Sequence, residues 1–413
     1  MSNSAVASPR LVSPASTTSS VAVPATTKAL SFRVAALFAG IGGIELGLHR
    51  AGHDTLLWCE ADPAALAVLQ AHFDIRDTIS EDVAQLTELP MSADVVTAGF
   101  PCQDLSQAGR TAGIEGLRSG LVGHVFRLLE QRCDDPPRWL VLENVPFMLS
   151  LDGGSAMHLL TSGLEDLGYS WAYRIVNTNA FGLPQRRRRV LLLASTTEDP
   201  RGPLLAQDAG APPPKDPDGR ACGFYWTEGI RGLGLAVEGV PTLKGGSSIG
   251  IPSPPAIWIP GEGLFTPDIR DAERLQGFAA DWTAPAHADG RRVGARWKLI
   301  GNAVSVPVAE WLGERLQRPR PYSDALDVEL SPVDRWPKAA WGGPKGHYRA
   351  VVSDWPIHRP APKLLEYLEH PLKPLSARAA TGFLKRARSG RLHFPNGFLA
   401  DVAEHARQMT AAA

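Results

Sequence analysis

The sequence predicts an α/β fold with an open sheet. Short apolar runs of strand length alternate with stretches of helical spacing along residues 33–197. Several of these runs end in glycine or an acid, and in open α/β sheets ligands bind at the carboxyl ends of the strands. A glycine-rich loop also separates the first apolar run from the first helical stretch. The site is therefore expected at one edge of the sheet.

Composition is that of a soluble globular chain with two or three domains. Of its 413 residues, 44% are hydrophobic and 21% charged, and no apolar run approaches the ~20 residues of a membrane span. Residues 1–31 are predicted to be a disordered tail and not a signal peptide. Four cysteines without paired spacing argue against disulfides or zinc and suit a reducing cytosol. A net charge of −1 means that any nucleic-acid contact must come from local basic clusters.

Residues 33–50 predict a strand, a glycine loop and a helix. The strand RVAALF runs into AGIGG, and apolar residues then recur with helical spacing. This arrangement lets the backbone approach a nucleotide-like ligand at a helix N-terminus. The GxGG pattern does not imply a dinucleotide. A tight turn of small residues is the alternative interpretation.

Two acids follow the next predicted strands. Glu60 ends the strand DTLLWC, twenty residues after Gly40, a spacing typical of an acid that binds ribose hydroxyls. Asp62, directly before Pro63, is predicted to cap the next helix. Asp82 lies where a third strand would end, and it either holds an adenine amino group or is a surface acid.

A cysteine lies on the loop after the predicted strand of residues 93–98. In the sequence GFPCQDLSQAGR, residues 99–110, Cys102 comes three positions after the strand's terminal glycine. The loop would expose the thiol while the sheet holds it rigidly, which suits a nucleophile. The alternative is a structural cysteine, since cysteines are among the most buried residue types. A helix is predicted over residues 120–131.

Glu143 and a run of arginines complete the candidate site. Glu143 follows the apolar strand RWLVL and would share an edge with Cys102 if their strands are parallel. After a helix at 156–168 and a strand at 169–177, residues 186–189 are all arginine and enter an apolar strand. Alternation places Arg187 and Arg189 on one face, where they could clamp a phosphate or a base carbonyl. A solvated basic run is the alternative.

The secondary-structure pattern is less regular in the second half of the chain. Residues 198–220 are predicted to be a linker, and residues 221–265 a small irregular module with short strands. A short helix is expected over residues 270–278. Residues 296–316 begin at a possible strand and continue as a helix from Val306, with Asn302 at the turn.

Six motifs then occur in one order: FAGIGG, GFPCQ, ENV, QRRRRV, RLQGF and IGNAV. This ordered set, over about residues 33–316, resembles the cytosine-5 DNA methyltransferases of bacterial restriction–modification type. The resemblance implies a Rossmann-like, S-adenosylmethionine-dependent methyltransferase fold, a doubly wound mixed sheet with one strand reversed at its edge. A small target-recognition domain would face the catalytic domain across a cleft that holds duplex DNA. The implied parts are a tail at 1–31, a catalytic domain at 32–197 and 269–317, a recognition domain at 198–268 and a basic C-terminal extension at 318–413.

The resemblance also implies a role for each candidate site residue. Cys102 would add to carbon 6 of cytosine, and Glu143 would bind and protonate the ring. Arg187 would help place the base carbonyl, and Arg189 would steady Glu143 or a phosphate. S-adenosyl-L-methionine would be held by Phe38, Ala39, Gly40, Ile41, Gly42, Gly43, Glu60, Asp82 and Asn302. The flipped base would be enclosed by Pro101, Gln103, Ser106 and Arg110, and no metal is implied.

The chain departs from the family pattern in four places, one of which is that the space for the recognition domain, roughly 198–268, is short. The family usually has an acid at position 36 and an aromatic residue at position 61, and here both are alanine. The chain also continues past the last motif. From Arg335 to Ala413 it has 13 Lys or Arg against 5 Asp or Glu. Residues 376–392 predict a basic helix with Phe383 and Leu384 on its packed side. This segment either tracks a phosphate backbone or is an ordinary packed appendage.

Three functions follow as alternatives. The first is a cytoplasmic DNA methyltransferase that acts as a monomer on double-stranded DNA, alongside a cognate restriction endonuclease that it need not contact. The second is a transfer-RNA cytosine-5 methyltransferase of the same fold. The third is a DNA-binding protein whose activity has lapsed, which Ala36 and Ala61 permit and the intact cysteine and ENV argue against.

Overall fold

A ten-stranded mixed sheet forms the centre of the chain, in a computed structural model that describes residues 30–75, 78–100, 120–245, 253–287, 294–331 and 333–412. Of the predicted site residues, Pro101, Cys102, Gln103, Ser106 and Arg110 lie outside the described residues. The strands are β1 (Arg33–Leu37), β2 (Asp54–Cys59), β3 (Ile79–Ser80), β4 (Val95–Ala98), β5 (Trp139–Asn144), β6 (Ser170–Asn177), β7 (Gln185–Arg186), β8 (Arg188–Ser195), β9 (Cys222–Phe224), β10 (Ala236–Val237), β11 (Val240–Pro241), β12 (Ala256–Ile259), β13 (Gly263–Thr266), β14 (Val328–Glu329), β15 (Ala339–Gly343), β16 (Gly346–Arg349) and β17 (Lys373–Pro374).

Helices flank both faces of this central sheet, and two further helices cover a second, smaller sheet that is described below. They are α1 (Gly43–Arg50), α2 (Pro63–His72), α3 (Leu121–Glu130), α4 (Ser155–Asp166), α5 (Arg201–Leu205), α6 (Ile269–Arg274), α7 (Gly294–Asn302), α8 (Val306–Gln317), α9 (Leu364–Tyr367), α10 (Ala377–Ser389) and α11 (Phe398–Ala411). Short 3₁₀ segments span Pro146–Gly154, Thr178–Ala180 and Ala284–His287. No helix among the described residues has the length and apolar character needed to cross a membrane.

The strand order of the central sheet is β14-β16-β15-β6-β8-β5-β4-β1-β2-β3. Strands β5, β4, β1, β2 and β3 are parallel neighbours, and β8 runs antiparallel to both β5 and β6. The family resemblance implied that the reversed strand lies at the edge of the sheet, and this prediction is wrong. Because β15, β16 and β14 continue the sheet beyond β6, β8 lies in its interior.

Alternate residues of the strands bury against opposite helical layers. Val96 and Leu140 pack with α3 and α4 on one face, and Val95 and Val141 pack with α1 and α8 on the other. This period of two, with both faces covered by helices, produces the doubly wound arrangement. Helices α1 and α8 lie so close that a Cβ on Gly47 would be 2.5 Å from the Cβ of Ala309.

A second, five-stranded sheet has the order β10-β9-β12-β13-β17. Its first four strands come from residues 222–266, and α10 and α11 cover it with an aromatic core in which the ring centroid of Phe224 is 5.1 Å from Phe383 and 5.2 Å from Phe398. The segment 318–413 is thus divided. Its strands β14 to β16 extend the central sheet, whereas β17, α10 and α11 belong to the second sheet.

The expectation of a strand near Arg296 is wrong. Residues 294–302 form α7, because Trp297 and Ile300 are one helical turn apart and both bury their side chains. Helix α7 packs closely against the segment after β11, since a Cβ on Gly301 would lie 2.2 Å from the backbone nitrogen of Gly245.

The α1–α8 contact provides a test of the packing. Replacing Gly47 with alanine puts a methyl group within 2.6 Å of backbone atoms of Val306 and Glu310. Overpacking of this kind costs about 1–3 kcal/mol, so we expect the free energy of unfolding in urea to fall by that amount. Gly382→Ala is the matched control, because it meets only the Arg386 side chain at 3.4 Å. The control should leave stability unchanged or raise it by up to about 1 kcal/mol, and equal losses in the two variants would contradict the packing argument.

Candidate active site

The carboxyl ends of four parallel strands meet at one edge of the central sheet. Leu37 pairs with Cys59 on one side and Ala98 on the other, and Ala98 pairs with Leu142. The residues that follow these strands therefore lie side by side around a cavity of about 310 Å³. Eight of the nine predicted cofactor-binding residues line it, namely Phe38, Ala39, Gly40, Ile41, Gly43, Glu60, Asp82 and Asn302. Glu143 and Gly99 line it from the other side.

The glycine loop adopts a backbone that favours glycine. Gly40 has φ 59° and Gly42 has φ 79°, and Phe38 itself has φ 58°, a conformation that is strained in a bulky residue. Gly42 does not line the cavity. It lies beneath the loop, where a Cβ would be 2.7 Å from the Phe73 ring. No atom of the described residues lies within 4 Å of a Cβ built on Gly40, so these residues leave the loop backbone open at that point.

The Glu60 carboxylate is held by main-chain donors at the cavity wall. The backbone N–H of Gly40 donates to its Oε2, and that of Asp62 donates to its Oε1, both at 2.7 Å. Charge-assisted bonds of this kind fix an orientation strongly. Asp62 caps α2 by accepting from the N–H of Ala64, as predicted, and it also pairs with Lys298 at 2.9 Å.

Asp82 and Asn302 line the cavity from two different loops. Asp82 follows β3, and its Oδ1 accepts from the N–H of Ala84 at 2.8 Å. Asn302 ends α7 and is exposed. Ala61 is also exposed and lines the cavity. Ala36 is different, since it is fully buried in β1 between Trp58 and Thr97 of the neighbouring strands.

Glu143 and Arg189 form a buried ion pair beside Gly99. The Glu143 Oε1 lies 2.9 Å from the Arg189 Nε, and the two side chains are 9% and 12% exposed. Burial raises the pKa of Glu143, and the charges of Arg189 and Arg187 oppose that rise. Glu143 was predicted to share the edge of the Cys102 loop, and the parallel pairing of β4 with β5 brings it next to Gly99, three residues before that cysteine.

The arginine run alternates as the strand period requires. Arg186 and Arg188 are exposed, whereas Arg187 is fully buried and Arg189 nearly so. The terminal nitrogens of Arg187 donate to the carbonyls of Leu243, Gly301 and Ala303, the last at 2.6 Å. Its buried Nε–H has no partner among the described residues.

Two polar side chains in the motifs escaped the sequence reasoning. The Asn144 side chain donates to the carbonyl of Phe100 at 3.0 Å and thereby holds the start of the Cys102 loop. Gln185 is fully buried, donates to the carbonyl of Leu275 and accepts from the N–H of Leu243. A polar residue directly beside a buried strand was the signal for each of them.

Glu45 was also missed. It is 1% exposed on α1, where its Oε1 accepts from the Thr97 hydroxyl at 3.0 Å and its Oε2 has no partner among the described residues. Burial raises the pKa of Glu45 to about 7. Its position in IELGL, between apolar residues of one helical face, was the available signal.

The arrangement defines a class of protein before any comparison. A Rossmann-like sheet with a glycine loop after β1, an acid after β2 and a reversed strand β8 between β5 and β6 is consistent with the Rossmann-like methyltransferase fold. The solved structure of Dnmt2 from S. pombe supports the fold, with a TM-score of 0.51 and 17% identity over 69% of this chain and 98% of that one. The predicted fold class is confirmed.

Sequence comparison gives the family. A family model for the C-5 cytosine-specific DNA methylases matches residues 32–216. The Type II methyltransferase M2.BsuMI of Bacillus subtilis (strain 168) is 51% identical over 381 residues, which cover 89% of this chain and 96% of that protein. M.NgoBI of Neisseria gonorrhoeae, another Type II methyltransferase, is 28% identical over 305 residues, or 66% and 89% of the two chains. The chain belongs to the C-5 cytosine-specific DNA methylase family, and the prediction of a DNA cytosine methyltransferase is confirmed.

The buried Glu45 predicts a pH dependence of stability. Its pKa of about 7 exceeds the ordinary 4.5, so the folded state binds more protons than the unfolded state between these values. The free energy of unfolding should therefore fall by about 3 kcal/mol from this group as the pH rises from 4.5 through 7. Glu45→Gln should remove that fall, measured by urea unfolding at a series of pH values. Glu314→Gln, exposed on α8, is the control, and a wild-type slope retained in Glu45→Gln would contradict the assignment.

Proposed function

We propose that this enzyme transfers a methyl group from S-adenosyl-L-methionine to carbon 5 of a cytosine flipped out of a specific duplex DNA sequence, through a covalent adduct with Cys102. The observation that carries the proposal is the buried Glu143–Arg189 pair. It lies at the strand edge where the Cys102 loop starts and where the glycine-loop cavity opens. The proposed proton donor and the proposed cofactor cavity are thereby adjacent to Gly99, three residues before Cys102 in the sequence.

The cavity fits the cofactor. Its volume of about 310 Å³ is within the range of small-molecule sites. The anchored Glu60 carboxylate would accept from the ribose hydroxyls, and Asp82 would accept from the adenine amino group. Phe38 and Ile41 supply apolar walls, and Asn302 closes the opposite side. When bound, S-adenosylmethionine supplies an electrophilic methyl group on a sulfonium.

Cys102 and Glu143 would share the activation of the base. The thiolate of Cys102 forms a bond to carbon 6 of the cytosine, and Glu143 donates a proton to ring nitrogen 3, so that carbon 5 becomes enamine-like and accepts the methyl group. A buried carboxyl with a raised pKa can carry that proton. A base, such as a water molecule, then removes the carbon 5 proton as the bond from sulfur to carbon 6 breaks, and the proton on ring nitrogen 3 returns to Glu143.

Arginines would orient these groups. Arg189 holds the Glu143 carboxylate, and the free Nε–H of Arg187 is the donor that would help place the base carbonyl. The cytosine must leave the stack for this geometry, at a cost of a few kcal/mol. We assign enclosure of the flipped base to Pro101, Gln103, Ser106 and Arg110.

We further propose that the enzyme acts as a monomer on DNA and is accompanied by a cognate restriction endonuclease that it need not contact. The 51% identical relative is named a Type II methyltransferase, which supports a restriction–modification setting.

The first test is methylation itself. The chain is expressed in a bacterial strain without cytosine methylation, and host DNA is sequenced at base resolution for 5-methylcytosine. We expect methylation in one sequence context, none with Cys102→Ser, and a loss of at least 10²-fold in rate with Glu143→Gln, because that amide cannot deliver the proton. Methylation by Cys102→Ser would overturn the adduct.

Purified protein should be assayed on duplex DNA and on transfer RNA in parallel. Methylation of the RNA alone would favour the RNA enzyme. A soluble wild type that methylates neither substrate would favour the lapsed DNA-binding protein.

The cofactor assignment has its own test. Glu60→Gln should weaken S-adenosylmethionine binding about 10- to 100-fold, since hydrogen bonds to a charged group contribute about 1.5–3 kcal/mol. Isothermal titration calorimetry measures the Kd without requiring turnover. Glu314→Gln, far along α8, is the charge-matched control. An unchanged Kd in Glu60→Gln would place the cofactor elsewhere.

A further inference from the structure

The C-terminal part of the chain has a stretch without acids. Between Glu369 and Asp401 the 31 residues 370–400 include 6 Lys or Arg and no Asp or Glu. The whole chain has a net charge of −1. Affinity for a polyanion must therefore come from local clusters such as this one.

Helix α10 divides these cations from its apolar residues. Ala380, Phe383 and Ala387 are buried against the second sheet. Arg378, Lys385 and Arg388 are exposed, and at 100° per residue they fall within about 80° of one another on the opposite side. We call these three residues the cationic stripe. Its first and last residues are ten positions apart, or about 15 Å along the helix.

The three side chains of the cationic stripe have no partner among the described residues, whereas the neighbouring Arg386 has two. Arg378, Lys385 and Arg388 form no ion pair or side-chain hydrogen bond with any described residue. Arg386, on the flank of the same helix, donates to the carbonyls of Trp226 and Glu228 at 2.7 and 3.0 Å. The chain thus uses one arginine to fix the helix and leaves three cations facing solvent.

The helix pair α10–α11 is held firmly on the second sheet. Asp401 accepts from the indole N–H of Trp258 at 2.8 Å and from the N–H of Gly261 at 3.0 Å. The buried His405 bridges the N–H of Leu264 and the carbonyl of Leu375. The stripe therefore moves with the sheet and is not on a loose appendage.

A chain of contacts links this module to the active site. Glu228, which Arg386 holds by its carbonyl, pairs with Lys244 at 2.7 Å, and the Lys244 ammonium lies 3.6 Å from the centroid of the Tyr225 ring. The Tyr225 hydroxyl donates to the carbonyl of Thr242, and the Thr242 hydroxyl donates to the carbonyl of Arg186, beside the buried Arg187. The module is thereby tied to the strand that carries the active-site arginines.

We infer that the cationic stripe of α10 contacts the phosphate backbone of the substrate duplex, so that the C-terminal segment is part of the DNA-binding surface. The inference rests on the proposed function. Duplex DNA carries one charge per about 1.7 Å of axis, hence about nine charges along the length of the stripe. Unpaired cations without neighbouring acids are complementary to that surface, and backbone contacts would set affinity and register more than sequence choice.

The test is the salt dependence of binding to a duplex that contains the methylated sequence. Each phosphate neutralised contributes about 0.9 to the slope of log affinity against log salt concentration. The triple variant Arg378→Gln, Lys385→Gln, Arg388→Gln should reduce that slope by about 2.7. Between 50 and 200 mM salt, the affinity advantage of the wild type should then shrink about forty-fold. Fluorescence anisotropy measures both values on the full-length chain.

The matched control removes the same charge elsewhere. Arg318→Gln, Arg320→Gln, Lys345→Gln changes three exposed cations, two at the far end of α8 and one in the β15–β16 turn. We expect a wild-type slope, and circular dichroism should show all three proteins folded. Equal slopes in the two triple variants would overturn the inference while leaving the methyltransferase intact. A wild type that neither binds nor methylates duplex DNA would overturn the proposed function and this inference together.

Discussion

The buried pair of Glu143 and Arg189 is the interaction on which the site depends. Removing two charges from water is costly, and such a pair persists only where the fold enforces its geometry. Here the antiparallel pairing of β8 with β5 enforces it, because Asn144 lies opposite Val190 and brings Arg189 to the strand edge beside Glu143. The reversal of β8 is therefore what places a guanidinium against a carboxyl whose pKa burial raises. A parallel strand would carry Arg189 to the opposite edge.

A second set of buried polar contacts joins segments that are distant in sequence. Arg187 donates to the carbonyls of Leu243 and Gly301, and Gln185 donates to the carbonyl of Leu275 and accepts from the N–H of Leu243. Buried donors without partners are costly, so these main-chain carbonyls must stay in place once the core closes. The arginine run thus acts twice, once to hold Glu143 and once to hold the segment around Leu243 next to it. The exposed side chains of Arg186 and Arg188 take no part in either role.

The predictions from sequence succeeded where the local residue pattern and the spacing of the buried residues indicate the same element. The strand DTLLWC coincides with β2, the glycine loop follows β1, and Glu60 is fixed by the N–H of Gly40. The predictions failed where contacts between residues distant in sequence determine the structure. The segment around Arg296 is a helix because Trp297 and Ile300 bury on one side of α7. Glu45 and Asn144 were overlooked. Each is a polar residue among apolar neighbours, but only the fold shows that Glu45 faces Thr97 and that Asn144 holds Phe100.

By itself the sequence determined the family, the order of the strands along the chain and the identity of the candidate reacting groups, because short motifs encode local geometry and chemistry. Only the tertiary structure decided how the residues after the last motif are used. Strands β14 to β16 extend the central sheet, and α10 and α11 cover the second one. Strand pairing and helix docking depend on surfaces made by residues over a hundred positions away, such as Phe224 against Phe383. Composition shows that the C-terminal segment is basic, but the fold alone separates the arginine that anchors α10 from the three cations that face solvent.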